Sequence, residues 1–174
     1  RSSAASDVYK RQPTERYYEE EGRAELTPRD FGILMHRVFE NAATTDEIYT
    51  AIEAMTQDGV LDEKEAPRLR ELVEKALADP VTAEWFGGRW QVVRNENEII
   101  LPGSGTTRRP DRVMTDGERA VVVDYKFGDR ETARHRKQIR EYLRLLRQMG
   151  YTRTEGYLWY VRLGRTERVE EKED

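Results

Sequence analysis

Apolar positions recur at helical spacing through the first half of the chain and at extended spacing through the second. Phe31, Leu34, Met35, Val38 and Phe39 follow Thr27-Pro28, a cap with proline in the first turn, and predict a helix. A second helix is expected from about Thr45, with Ile48, Ala51, Ile52 and Met55 on one face and Gly59 as its stop. A third should run from about Asp62 to Ala78, carrying Leu69, Leu72, Val73, Ala76 and Leu77, and close before Pro80. Val81–Phe86 reads as one short turn ended by Gly87-Gly88. From Trp90 the period changes. Trp90–Arg94 and Glu96–Leu101 read as strand, followed by a Pro-Gly-Ser-Gly turn at 102–105. Arg109–Met114 and Ala120–Lys126 read as a hairpin joined at Asp116-Gly117. Glu131–Met149 predicts a long helix ended by Gly150. Gly156–Arg162 predicts a last aromatic strand, with a short partner around Glu167–Val169.

Helices first, then strands, then a helix and a strand point to an α+β fold. The expected architecture is a central mixed β-sheet flanked by helices, with an N-terminal helical subdomain. The 174 residues suit one domain. That domain is read as 27–174, with a helical part at 27–88 and an α/β core at 89–170. Residues 13–26, with Glu19-Glu20-Glu21, read as linker or a frayed helix. The run Asp7-Val8-Tyr9-Lys10-Arg11-Gln12 resembles the translation of a transposase adapter used in preparing sequencing libraries. Residues 1–12 are therefore expected to be an artefact, and the natural chain to extend further upstream.

Hydrophobic and charged residues each make up 37% of the chain, a balance that fits a heavily solvated globular protein. No apolar run approaches the ~18 residues of a membrane-spanning helix, so no membrane partner is expected. The absence of cysteine excludes disulfides, thiolate zinc sites and iron–sulfur clusters, and fits a reducing cytoplasm. A formal net charge of −4 offers no global attraction to nucleic acid. Phosphate binding would have to come from local basic patches or bound cations.

The segment richest in chemistry is Arg109-Pro110-Asp111-Arg112-Val113 followed by Val121-Val122-Val123-Asp124-Tyr125-Lys126. The β-branched run predicts a buried strand. Alternation puts Asp124 and Lys126 on one face and Tyr125 on the other. A hairpin partner that brings Asp111 beside Asp124 makes a pocket of two carboxylates and one ammonium. Two buried carboxylates repel and raise a pKa. A hard divalent cation between them removes the conflict, and such oxygen ligands suit Mg²⁺ or Mn²⁺. That set fits phosphodiester hydrolysis, with the cation neutralising phosphate charge and Lys126 holding the water or stabilising the transition state. Taken alone, Asp-x-Lys is an ordinary strand-end ion pair.

The triplet is not alone. Pro-Asp followed by Asp-Tyr-Lys resembles the PD-(D/E)XK nuclease superfamily, and further motifs resemble its RecB-like branch. Gly32-Ile-Leu-Met-His36 looks like that branch's Gly-x-x-x-His motif, with glycine leaving room for close approach. Asn95-Glu96 looks like its acidic strand, Gln138-Ile-Arg-Glu-Tyr142 like its Gln-x-x-x-Tyr helix, and Gly156-Tyr-Leu-Trp-Tyr160 like its terminal strand. Together they span Thr27 to about Val169 and look most like the C-terminal nuclease domain of AddA-type (UvrD/Rep-like) helicase–nucleases.

The resemblance implies a restriction-endonuclease-like fold and an Mg²⁺-dependent DNA nuclease, an exonuclease of double-strand break repair and recombination, with Mn²⁺ as a substitute. Asp111, Asp124, His36 and the Tyr125 backbone carbonyl would be metal ligands, Lys126 the catalytic lysine, and Glu96 an accessory acid whose place Glu98 could share. Gln138 and Tyr142 would support the site or touch DNA. No Walker A sequence is present, so the chain carries no ATP site. DNA, an upstream helicase region in the same natural chain and a second helicase–nuclease subunit are the implied partners. The alternative is an inactive nuclease-fold module for DNA binding or assembly.

On the helix 131–149, Arg134 shares a row with Gln138 and Tyr142 and is the expected phosphate contact. Arg136, Arg140, Arg144 and Arg147 fall on the far side, in solvent or paired with Glu. His135 is read as solvated, and Trp85, Trp90 and Trp159 as packing rather than base-stacking residues.

Overall fold

The computed structural model describes residues 27–100, 107–128 and 132–171. The segments read as adapter (1–12) and linker (13–26), and the turn at 102–105, lie outside the described residues.

Helix α1 spans Pro28–Glu40 and opens on a capping box. The Asp30 N–H donates to the Thr27 hydroxyl (3.2 Å) and the Thr27 N–H to the Asp30 carboxylate (2.9 Å). Helix α2, Thr45–Gln57, is capped by Thr44, and α4, Pro80–Trp85, by Asp79. Helix α3 is shorter than its periodicity suggests, running Ala66–Ala76 rather than from Asp62. Pro67 is tolerated only in a first turn, so the helix cannot extend back through it. Asp62 instead accepts from the Lys64 N–H and closes a turn.

The strands are β1 (Val92–Asn95), β2 (Ile99–Ile100), β3 (Thr107–Arg108), β4 (Arg112–Asp116), β5 (Arg119–Lys126), β6 (Arg153–Tyr160) and β7 (Arg165–Arg168). Helix α5, Ala133–Gln148, lies between β5 and β6. One sheet has the order β1-β4-β5-β6-β7, with β5 and β6 parallel and the other neighbours antiparallel. A separate ribbon pairs β2 with β3. The mixed sheet flanked by helices is the expected α+β, restriction-endonuclease-like architecture.

Several strand ends move from their expected places for local reasons. Trp90 stays out of β1, its indole N–H donating to the Glu84 carbonyl. Glu96 takes φ +53 and breaks the strand there, so pairing resumes only at Ile99. Pro110 has no N–H for a ladder, and β4 starts at Arg112 rather than Arg109. The β4–β5 loop is Gly117-Glu118, with Gly117 at φ +57 in the first loop position. Strand β6 begins at Arg153, before Gly156, and ends at Tyr160 in a 3₁₀ turn, Val161–Leu163.

Alternation along β5 divides the core in two. Val121, Val123 and Tyr125 face α1–α4 with Met114 and Trp159, while Ala120 and Val122 face α5 with Leu158 and Tyr160. On the first side Phe39 packs tilted against Trp159, ring centroids 5.0 Å apart. On the second side α5 lies close, because a Cβ at Gly156 would meet Ile139 Cγ2 at 2.4 Å. No described helix is long and apolar enough to cross a membrane.

Arg112 joins the two parts of the chain. Its side chain is 0% exposed. The guanidinium donates to the carbonyls of Ala42 (2.7 Å), Ala43 (2.8 Å) and Trp85 (2.7 Å) and to Asn95 Oδ1 (3.2 Å). It also lies over the Phe86 ring, 4.0 Å from the centroid. Those carbonyls follow α1 and end α4, where helix ends leave acceptors unsatisfied and a positive charge is favoured. Asn95 also donates to the Ala42 carbonyl. The residue beside Asp111 thus fixes the helical part onto the sheet.

Candidate active site

The ladder register lines up three carboxylates at one end of the sheet. Asn95 pairs with Arg112, and Arg112 with Val123. One step further along, Glu96, Asp111 and Asp124 therefore stand on neighbouring strands at one level. Main-chain bonds hold the row: the Glu96 N–H donates to the Asp111 carbonyl at 3.0 Å, and the Tyr125 N–H to Asp111 Oδ2 at 2.5 Å.

His36 reaches this row from α1. Its Nε2 lies 3.1 Å from Glu96 Oε1 and 3.8 Å from Asp111 Oδ1. His36, Glu96 and Asp111 each offer a donor atom, all within 4.8 Å of one another. The Asp111 carboxylate raises the His36 pKa against the opposing effect of burial, and Glu96 and Glu40 add to the rise. Burial raises the Glu96 pKa, and the Asp111 charge raises it further. Arg109 Nε sits 2.7 Å from Glu96 Oε2 and offsets part of that charge. Glu98, by contrast, is exposed and outside this group.

Asp124 is nearly buried, 3% exposed, and its carboxylate touches the Lys126 ammonium. Both lie on the α5 face of β5, as alternation requires. Burial and then the Asp111 charge push the Asp124 pKa up to about 6, while Lys126 pulls it down. An imidazole and clustered carboxylates, whose mutual repulsion Arg109 and Lys126 offset only in part, fit a divalent cation well.

Gln138 and Tyr142 face this end of the sheet from α5, with Gln138 Nε2 donating to the Tyr142 hydroxyl at 2.9 Å. Tyr142 is buried, and its pKa is pushed up to about 12 by that burial, with Asp124 and Asp111 adding to it. Arg134, one turn before Gln138, is exposed. On the far side Arg136 pairs with Glu167 and Arg147 with Glu171, while Arg140 donates to the Glu170 carbonyl.

One reading of a single residue changes, and two other residues gain a contact. Gly32 makes room for Phe127, whose Cβ would lie 3.1 Å from an added methyl. His135, expected in solvent, is partly buried, with Nδ1 enclosed and its pKa lowered by desolvation and then by Lys126. The Tyr125 main chain meets Asp111 through its N–H. Trp85 and Trp159 are core residues and Trp90 is half-buried, as their packing role requires.

Sequence reasoning passed over Arg109, which pairs with Glu96, and Arg112, although both flank Asp111. Their one local signal was position: two arginines bracketing a Pro-Asp pair at a strand start.

No curated protein matches the chain. A family model of nucleases matches residues 8–174, taking in every element described above. On that match the chain belongs to the PD-(D/E)XK nuclease superfamily.

Proposed function

We propose that the chain is a divalent-metal-dependent deoxyribonuclease whose reaction is carried by Asp111, Asp124 and Lys126. The observation that supports this most is the juxtaposition of Asp111, Asp124 and the Lys126 ammonium with His36 and Glu96 at one sheet end. Asp111, Asp124 and His36 would hold the metal, with the Tyr125 carbonyl as a further ligand and Glu96 as an accessory acid. The bound ion, Mg²⁺ with Mn²⁺ as a substitute, supplies charge neutralisation at the phosphate and a more acidic water.

The chain's own groups do the rest. Lys126 orients the attacking water and offsets charge as the phosphate becomes more negative. Asp124 keeps that ammonium in place. The Tyr125 N–H holds Asp111 in one orientation, and Gln138 and Tyr142 close the α5 side. Arg134 contacts a phosphate at the rim.

In its cellular setting the domain is proposed to act as an exonuclease of the RecB-like, AddA-type kind. It would sit in a bacterial cytoplasm and degrade strands delivered by a helicase region and its partner subunit during break repair and recombination. The test is cleavage of labelled single- and double-stranded DNA with Mg²⁺, Mn²⁺ or chelator, run with Asp111→Asn and Asp124→Asn. Metal-dependent cleavage by the wild type, with weaker Mn²⁺ binding by calorimetry in both variants, is expected. Undiminished Mn²⁺ affinity in both variants would refute the shared metal site.

A further inference from the structure

A groove beside the carboxylate row has a charge and shape of its own. Its outer part is an open cleft that reaches His36 and carries Arg29, Ile33 and Arg37. These three are spaced four residues apart and form one stripe on α1, with Arg29 and Arg37 about 12 Å apart along the axis. Ile33 is 44% exposed between them. Neither arginine has an ion-pair partner among the described residues.

The inner part is a cavity of about 200 Å³ walled by Phe31, Met35, Leu72, Phe127 and Val161. Gly32, Phe127 and Arg162 line both parts, so the cleft opens into the cavity. Arg68 stands at its rim with its guanidinium 4.6 Å from the Phe31 ring centroid. Among the described residues no acidic side chain lines either part, although the whole chain carries a net charge of −4. A basic track with an apolar, aromatic-walled recess suits a polyanion that carries flat apolar rings. An apolar cavity of about 150 Å³ takes a benzene-sized ring, so this one has room for a nucleobase. A base can enter such a recess only when it is unstacked and unpaired, which selects a single strand over a duplex.

We propose that this groove is the path of a DNA single strand into the carboxylate row, with Arg29 and Arg37 on its phosphates and one base lodged against Phe127. The proposal rests on the nuclease reading and says where that nuclease holds its substrate. Gly32 is the position that lets Phe127 form the shared wall, since a methyl there would crowd the ring.

The test measures binding of labelled oligo(dT), and of an abasic strand of the same length, across a salt series in chelator. Replacing both Arg29 and Arg37 by Ala should lower the salt slope by about 1.4, two single-strand contacts. Wild-type protein should bind oligo(dT) about tenfold tighter than the abasic strand, one stacked base's worth. Leu72→Trp, which fills the cavity, should erase that difference, and Phe127→Leu should reduce it without adding bulk. An unchanged slope in the double variant, or equal affinity for the two strands, would overturn the groove. Wild-type cleavage in Mg²⁺, measured in parallel, separates the two ideas. Cleavage with an unchanged slope removes the groove and leaves the nuclease. A wild type that neither binds nor cleaves removes both.

Discussion

Asp111 Oδ2 accepts a 2.5 Å hydrogen bond from the backbone N–H of Tyr125. Asp111 stands in the bend before β4, and Tyr125 lies between Asp124 and Lys126 on β5. Three consecutive residues of β5 therefore supply one acid, the anchor for the other acid, and the ammonium. Because the donor is main chain, its place is set by strand pairing, and it holds the Asp111 side chain in one rotamer. The spacing of the two carboxylates is a property of the sheet.

That sheet depends on Arg112. Arg112→Met keeps the length of the side chain and removes every donor, leaving the carbonyls of Ala43 and Trp85 without a side-chain partner and Ala42 with Asn95 alone. Denaturant unfolding should show a loss of about 3 kcal/mol or more, since each orphaned acceptor carries its own desolvation cost. A loss below about 1 kcal/mol would mean these bonds are replaceable by water or by local shifts.

The sequence made the strand chemistry legible where local rules govern it. Alternation alone placed Asp124 and Lys126 on one face, and the Gly117 turn implied the hairpin that sets Asp111 opposite Asp124. Helical spacing likewise separated Gln138 and Tyr142 from the paired arginines of α5. Arg112 was not legible. Its acceptors at Ala42, Ala43 and Trp85 lie 70, 69 and 27 residues away, and no period relates them to it. Nor was the break at Glu96, where a left-handed residue other than glycine turns the chain. Propensity argues against that conformation, and tertiary contacts with Asp111 and Arg109 impose it.

His36 separates a ligand role from a structural one. Its side chain is 40% exposed and its ring contact is with Phe127 alone among the described aromatic rings, so His36→Ala should fold normally. Loss of a ligand should raise the Mg²⁺ concentration for half-maximal cleavage by about tenfold or more, because even outer-shell partners of a metal site are worth that much. Glu98→Ala, at an exposed position outside the group, should leave the titration where it was. Coincident metal titrations for wild type and His36→Ala would make the histidine structural.

On α5 the comparison is Arg134→Ala with Arg144→Ala. Arg134 shares the row of Gln138 and Tyr142, and Arg144 is exposed on the other side of the helix. Binding to single-stranded DNA across a salt series should lose about 0.7 of its slope in the first variant and keep it in the second. Equal losses, or a larger one for Arg144→Ala, would mean the strand runs along a different face of the helix.

The most direct test of the account is the single-turnover cleavage rate of Lys126→Ala with saturating Mg²⁺ and DNA. The ammonium is assigned to the reaction, so the rate should fall by about 10²–10³ or more. Affinity for single-stranded DNA and the unfolding midpoint should stay close to wild type. Cleavage at the wild-type rate would contradict the assignment of Lys126, and with it the central claim that Asp111, Asp124 and Lys126 form a nuclease site.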